Sequence, residues 1–281
     1  MIVNGQQQQH ITIADRGVQY GDGCFTTMAF RNSQIEFFDA HIERLKFSCK
    51  TLNIQFDKWT ELTTCIFSSL RGVSDCVIKV MITRGTGGRG YSPEGASDPN
   101  YIVSQHSIPN NYAVWQNKGI KLTVSPIQLA KQPLLAGIKH LNRLEQVFIK
   151  QALLETKFDD AVVCDTQQKI IETSVANLFW YKNNHWFTPD LSKSGVQGVM
   201  RNQVLAEMCQ QGLKCHIVNH DLSELFDAQE LFVCNSLMTI VPVTSLVNPL
   251  NQQHKSYLKE QTIALKQILL AAIRRKALSV Q

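Results

Sequence analysis

Lys139 stands in the run Ala136-Gly137-Ile138-Lys139-His140-Leu141, an amine among apolar neighbours where a solvated lysine gains little. Burial penalises the ammonium form, and a free amine attacks a carbonyl carbon to give an imine. Local sequence also accommodates an exposed lysine opening a helix. Glu172 follows the apolar pair Ile170-Ile171 and precedes Thr173-Ser174-Val175-Ala176-Asn177. A carboxylate at the rim where two strands part can keep a pyridine-type nitrogen protonated, and such a ring accepts the electrons released when a carbon next to an imine loses its proton. The alternative there is an edge-strand glutamate paired with a lysine. Gly195-Val196-Gln197-Gly198-Val199-Met200-Arg201 sets glycines directly before a helical pattern, where backbone amides hold phosphate well. Arg44, a planar cation, and Ser236, a hydroxyl donor, could complete that cradle. Singly these are weak signals, since Gly-x-x-Gly serves any tight loop.

The elements that must position these groups are readable from periodicity. Ile42, Leu45, Cys49 and Leu52 recur at helical spacing and predict a helix over 39–53, with Asp39 as its cap. A second helix is expected over 58–70, then strands at 76–83 and 101–108. Between those strands, residues 84–99 carry five glycines, two prolines and two arginines, a loop long enough to reach over a site. The pattern breaks around 109–118, so residues 1–112 are expected to form a smaller N-terminal α/β domain. A linker at 113–118 then leads to a larger C-terminal domain, 119–281, that carries Lys139. The second half predicts strands at 120–125, 161–164, 169–172, 177–182, 185–188, 214–218 and 231–234. Helices are expected over 142–155, 199–210, 222–226 and 256–278.

Bulk properties narrow the function. With 281 residues, 44% apolar and 18% charged, the composition is that of a globular protein. The net charge of +5 comes from scattered residues and describes no nucleic-acid-binding stripe; a small anionic ligand suits it better. Eight cysteines without a C-x-x-C pair, and no histidine cluster at metal spacing, read as reduced thiols with no metal site, as in a cytoplasmic protein. The N-terminus lacks the pattern of a signal peptide, and the longest aliphatic stretch, 268–273, falls far short of the roughly 20 residues of a membrane span.

The order and wording of five segments resemble the fold-type IV pyridoxal phosphate enzymes, the branched-chain and D-amino-acid aminotransferase group. These are Asp15-Arg16-Gly17-Val18-Gln19-Tyr20-Gly21-Asp22-Gly23-Cys24-Phe25, His41-Ile42-Glu43-Arg44-Leu45, Ile138-Lys139, Ile171-Glu172-Thr173 through Asn177-Leu178-Phe179, and Gly198-Val199-Met200-Arg201. The resemblance implies an α+β fold of two α/β domains and a homodimer. It also implies that Lys139 carries pyridoxal 5'-phosphate, that Glu172 binds the pyridine nitrogen, and that Arg44, the backbone at Val199 and Met200, and Ser236 bind the phosphate. Two stretches, Thr83-Arg84-Gly85-Thr86-Gly87-Gly88-Arg89-Gly90-Tyr91-Ser92 and Gly137-Ile138-Lys139-His140-Leu141-Asn142-Arg143-Leu144-Glu145-Gln146, are similar to the lyase branch of that group, whose substrate is aminodeoxychorismate. The aminotransferases would show an Arg-x-His trap or an Arg-Pro-rich loop where Gly-Gly-Arg-Gly-Tyr stands, and Glu where Thr26-Thr27 follow Phe25. The resemblance therefore implies conversion of aminodeoxychorismate to p-aminobenzoate and pyruvate, a step of folate biosynthesis, with amino-acid transamination as the alternative. Arg89 and Tyr91, on a loop expected to be mobile, and Asn235 become candidates for the substrate carboxylates, although an arginine in such a loop can simply be solvated. Thr27, or less directly Thr26, becomes a candidate proton relay, although helix-start threonines also serve as caps.

Overall fold

Residues 76–83 are rich in β-branched side chains, which suit a pleated, covered surface. In the computed structural model, which describes residues 1–96, 98–276 and 278–279, they form an inner strand of the first of two units. That unit holds β1 (Ile2–Val3), β2 (Gln6–Gln7), α1 (Arg16–Tyr20), β3 (Gly23–Arg31), β4 (Gln34–Ile35), α2 (Phe38–Thr51), α3 (Trp59–Ser69), β5 (Cys76–Thr83) and β6 (Asn100–His106). Its antiparallel sheet runs in the order Leu278–Ser279, β4, β3, β5, β6, β1, β2. Leu45 and Cys49 of α2, with Leu62 and Ile66 of α3, pack on Cys24, Met28, Ile78 and Val80 of one sheet face.

Several expectations shift here. Phe37, in the left-handed region at φ 53°, precedes α2, and Asp39 lies in the first turn without capping it, where its charge still suits the helix dipole. Thr26 and Thr27 lie in the middle of β3, not at a helix start. Residues 113–118, expected as a linker, belong to the helix α4 (Asn111–Lys118). Its Tyr112 and Trp115 pack against the core of the second unit, which outweighs the polar, turn-like wording of the segment. Lys139 also falls differently, because Ile138–Asn142 groups with the first unit and not with the C-terminal one.

After α4 the second unit continues with β7 (Ile120–Val124), α5 (Leu144–Leu153), β8 (Asp160–Cys164), β9 (Ile170–Thr173), β10 (Asn177–Lys182) and β11 (His185–Pro189). It is completed by α6 (Val199–Gln210), β12 (Cys215–Val218), α7 (Ser223–Asp227), β13 (Glu230–Asn235), β14 (Thr239–Asn248), β15 (Gln253–Ser256) and α8 (Glu260–Lys276). The mixed sheet runs β12-β11-β10-β13-β14-β7-β8-β9, with β15 on the far end of β14. A tight turn, in which Thr173 and Ala176 exchange hydrogen bonds, carries the chain from β9 at one end of this order to β10 well inside it, so the sheet must curl. Among the described residues no helix is long and apolar enough to cross a membrane.

Candidate functional site

In the first unit, the segment bearing Lys139 completes the sheet edge at the start of β3. Phe25 N–H donates to the Lys139 carbonyl at 2.9 Å, Leu141 N–H donates to the Gly23 carbonyl at 3.0 Å, and Cys24 bridges His140. Both backbone partners fix the direction of the lysine side chain, whose Nζ lies 4.6 Å from the centre of the Phe25 ring. Lys139 is half-buried, neither sealed in the core nor fully solvated. Side chains alternate along a strand, so Thr27 shares the face of Phe25, and Lys79 of β5 stands opposite Thr27 with its Nζ 5.2 Å from the same ring. Thr26 points the other way, fully buried, with its Oγ1 2.6 Å from His41 Nδ1. The pleat thus places Thr27, and not Thr26, on the face of Lys139.

Arg44 on α2 has the electrostatics of an anion site. Burial pushes its guanidinium down to about 10, the nearby Cys24 only partly opposing this. Its buried Nε has no hydrogen-bond partner among the described residues. A buried charge without a counter-ion is costly, and supplying an anion relieves it. His41, one turn earlier, is held well below its ordinary value, first by burial and then by the Arg44 charge, so it is neutral beside that cation. Arg89 and Tyr91 lie on the connection between β5 and β6, both exposed.

In the second unit Glu172, 6% exposed on β9, accepts a hydrogen bond from Val196 N–H at 2.9 Å. Val196 belongs to the loop ahead of α6, and that loop is fastened to Gly137, two residues before Lys139 in the chain, by Gly137 N–H to Gly195 O at 2.9 Å and Gln197 N–H to Gly137 O at 3.0 Å. Asn177 clasps the same loop: its Nδ2 donates to Val196 O at 2.8 Å and its Oδ1 accepts from Gly198 N–H at 3.1 Å. A Cβ on Gly198 would lie 2.1 Å from that Oδ1, so only glycine admits the clasp. Val199 and Met200 open α6, where first-turn amides have no acceptor within the helix. Ser236 follows β13 at the turn. Asn235 builds that turn, its Oδ1 accepting from Leu237 and Met238 N–H and its Nδ2 donating to Val175 O. This leaves Asn235 as a support for Ser236 more than as a free carboxylate donor.

Sequence reasoning missed Arg143, whose guanidinium is lowered by burial while the charges of Glu172 and Glu145 oppose that, and it gave Asn177 and Lys79 no role. The signal for Asn177 was there, a polar residue opening an otherwise apolar strand.

The sequence profile of amino-transferase class IV matches residues 23–246. The chain belongs to that family. Among class IV proteins it is 43% identical over 250 residues to an aminodeoxychorismate lyase of Vibrio harveyi, covering 89% of this chain and 92% of that one. The crystal structure of 4-amino-4-deoxychorismate lyase from Pseudomonas aeruginosa superposes with a TM-score of 0.89 at 32% identity, covering 96% of this chain and 98% of that one. A branched-chain amino acid aminotransferase from Escherichia coli has a TM-score of 0.82 at 19% identity, covering 97% and 94%, a likeness of fold alone. The residues fit the phosphorylated pyridine cofactor implied by the class IV resemblance. Taken unit by unit, Arg44 of the first is a desolvated cation whose buried Nε has no partner among the described residues, while in the second Glu172 is a buried carboxylate oriented by a backbone amide and α6 presents first-turn amides.

Proposed function

We propose that this chain is a pyridoxal 5'-phosphate-dependent aminodeoxychorismate lyase. It releases p-aminobenzoate and pyruvate in folate biosynthesis and works as a homodimer in the cytoplasm. The observation that carries the choice of lyase over aminotransferase is the near-full-length likeness to the Vibrio harveyi lyase, since the cofactor-holding residues alone would serve either chemistry. Eight unpaired cysteines support a reducing compartment. Exposed Leu144, Val147 and Phe148 on α5 support association with a second copy.

When bound, the cofactor supplies a protonated ring that takes up electrons from the carbon bearing the substrate amine. Lys139 Nζ removes the proton from that ring carbon. Glu172, held by Val196 N–H, keeps the proton on the pyridine nitrogen, while Arg44, the amides of Val199 and Met200 and the Ser236 hydroxyl hold the phosphate. Arg89 and Tyr91 take the substrate carboxylates. As the bond to the enolpyruvyl oxygen breaks, Thr27 passes a proton to the departing enolpyruvate, which becomes pyruvate. The ring left behind is aromatic, which makes the step effectively one-way.

Aminodeoxychorismate supplied to the wild-type enzyme is expected to give p-aminobenzoate and pyruvate in equal amounts, and Lys139→Ala to lose at least about 10^3-fold in rate. Rapid transamination of D-alanine or leucine with 2-oxoglutarate, without p-aminobenzoate formation, would transfer the assignment to an aminotransferase.

A further inference from the structure

The glycine-rich loop between β5 and β6 is wound around a buried guanidinium. Arg16, at the start of α1, is 4% exposed. Its Nη1 donates to the carbonyls of Gly90 and Ser92 at 3.1 Å and of Gly87 at 3.4 Å, and its Nη2 donates to the Tyr91 carbonyl at 3.1 Å. Nε pairs with Asp22 at 3.0 Å, and the guanidinium lies 4.9 Å from the Tyr20 ring, which itself meets the Tyr91 ring edge-on at 5.5 Å. Gly88, at φ +74°, lies so close that a Cβ there would be 2.2 Å from Ser92 O and 3.0 Å from Arg16 Nη1. The neighbouring Asp15 ties down the loop's two ends, accepting from Thr83 Oγ1 and from Asn100 Nδ2, each at 2.7 Å. Carbonyls of an exposed loop could all face water. Turning four of them onto one cation leaves the side chains of Arg89 and Tyr91 outside, on a backbone with little freedom.

We propose that Arg16 is a positioning residue, the post around which loop 87–92 is wound so that Arg89 and Tyr91 meet the substrate carboxylates already ordered. The inference rests on the assignment of those two side chains to the substrate. It replaces the expected mobile loop with a latched one. A lysine offers one point charge and cannot fork to four carbonyls and Asp22 together. Asp22 keeps Arg84 as a partner at 2.7 Å when Arg16 is removed, so no carboxylate is orphaned by the test.

The test uses cofactor-loaded Arg16→Met, Arg16→Lys, Gly88→Ala and Arg89→Ala enzymes. For Arg16→Met and Gly88→Ala, trypsin should nick the Arg89–Gly90 bond at least about tenfold faster than in wild type. KM for aminodeoxychorismate should rise about 5- to 20-fold with kcat within about twofold, and Arg16→Lys should fall between wild type and Arg16→Met. The cofactor absorbance band should be unchanged in all of them. Nicking of Arg16→Met at the wild-type rate overturns the latch. Faster nicking with unchanged KM, in a protein whose Arg89→Ala variant does lose affinity, overturns the positioning role and leaves the carboxylate assignment standing. Unchanged KM in Arg89→Ala overturns the assignment itself, and the positioning role with it.

Discussion

In the proposed site, Arg44 is a side chain whose cost to the fold and value to cofactor binding have opposite signs. Its guanidinium is desolvated beside a neutral histidine and a thiol, with no carboxylate among the described residues to offset the charge. In the proposed role as a phosphate ligand, such a cation destabilises the empty protein and stabilises the loaded one, because a phosphate would restore the lost interactions. Arg44→Gln keeps a planar donor and removes the charge. Cofactor affinity is expected to fall about ten- to hundredfold, the range of one or two charge-assisted hydrogen bonds. The thermal midpoint of the cofactor-free protein should stay level or rise. Titration of pyridoxal phosphate together with melting of the empty protein checks both. A lower midpoint with unchanged affinity would make Arg44 a packing residue. His41 was a sequence neighbour of no assigned role; only its burial against Thr26 shows that the charge beside Arg44 is absent.

At the scale of elements, the clasp between β10 and the loop ahead of α6 decides where the helix start points. Gly198→Ala places a methyl group on Asn177 Oδ1 and should cost about 1–3 kcal/mol of stability together with cofactor affinity. Asn177→Ala removes the partner of Val196 O and Gly198 N–H and should cost about as much. The two injuries share one contact, so the double variant is expected to lose less than the sum by about 1 kcal/mol or more. Strict additivity in denaturant unfolding would mean that the clasp is not what holds the loop.

The same scale shows what was legible. Helix α6 is found over the residues expected, because glycines precede an uninterrupted run of helix formers. The strand β3 escaped notice because both its faces are largely covered, which erases alternation from Gly-Cys-Phe-Thr-Thr-Met-Ala-Phe-Arg. The strand β14 was hidden by Pro242, which reads as a strand breaker. In the sheet that proline pairs with Phe232 of β13, one residue before the ladder to β7 begins at Val243. Lys139 and Glu172 stand out in the sequence as candidates for chemistry, but their surroundings do not, because backbone pairing of 139 with 25 and of 137 with 195 joins residues far apart in the chain.

For the whole molecule, the apolar residues exposed on α5 bear on how the chain associates. Helix α5 reads as amphipathic in either direction: Ile149 is buried, yet Leu144, Val147 and Phe148, three and four residues apart on the helix, are each more than half exposed. The sequence therefore foretells a helix there without saying which side meets the core. Leu154, which ends the helix, is also exposed. Scattered apolar residues need no explanation, but a helical stripe of them on a monomer favours self-association. A two-fold interface lets the same stripe face its own copy. Light scattering should give twice the 31.7 kDa chain mass for the wild type. Phe148→Glu, which buries a charge in any such contact, should shift the protein to the single-chain mass at micromolar concentration, since an unpaired buried carboxylate costs several kcal/mol. Glu at position 47, where Phe47 is equally exposed but lies on α2, is the control and should leave the mass doubled. If Phe148→Glu stays doubled while Phe47→Glu dissociates, the contact lies on α2 instead. A wild type of single-chain mass would mean that the α5 stripe has no partner in this chain.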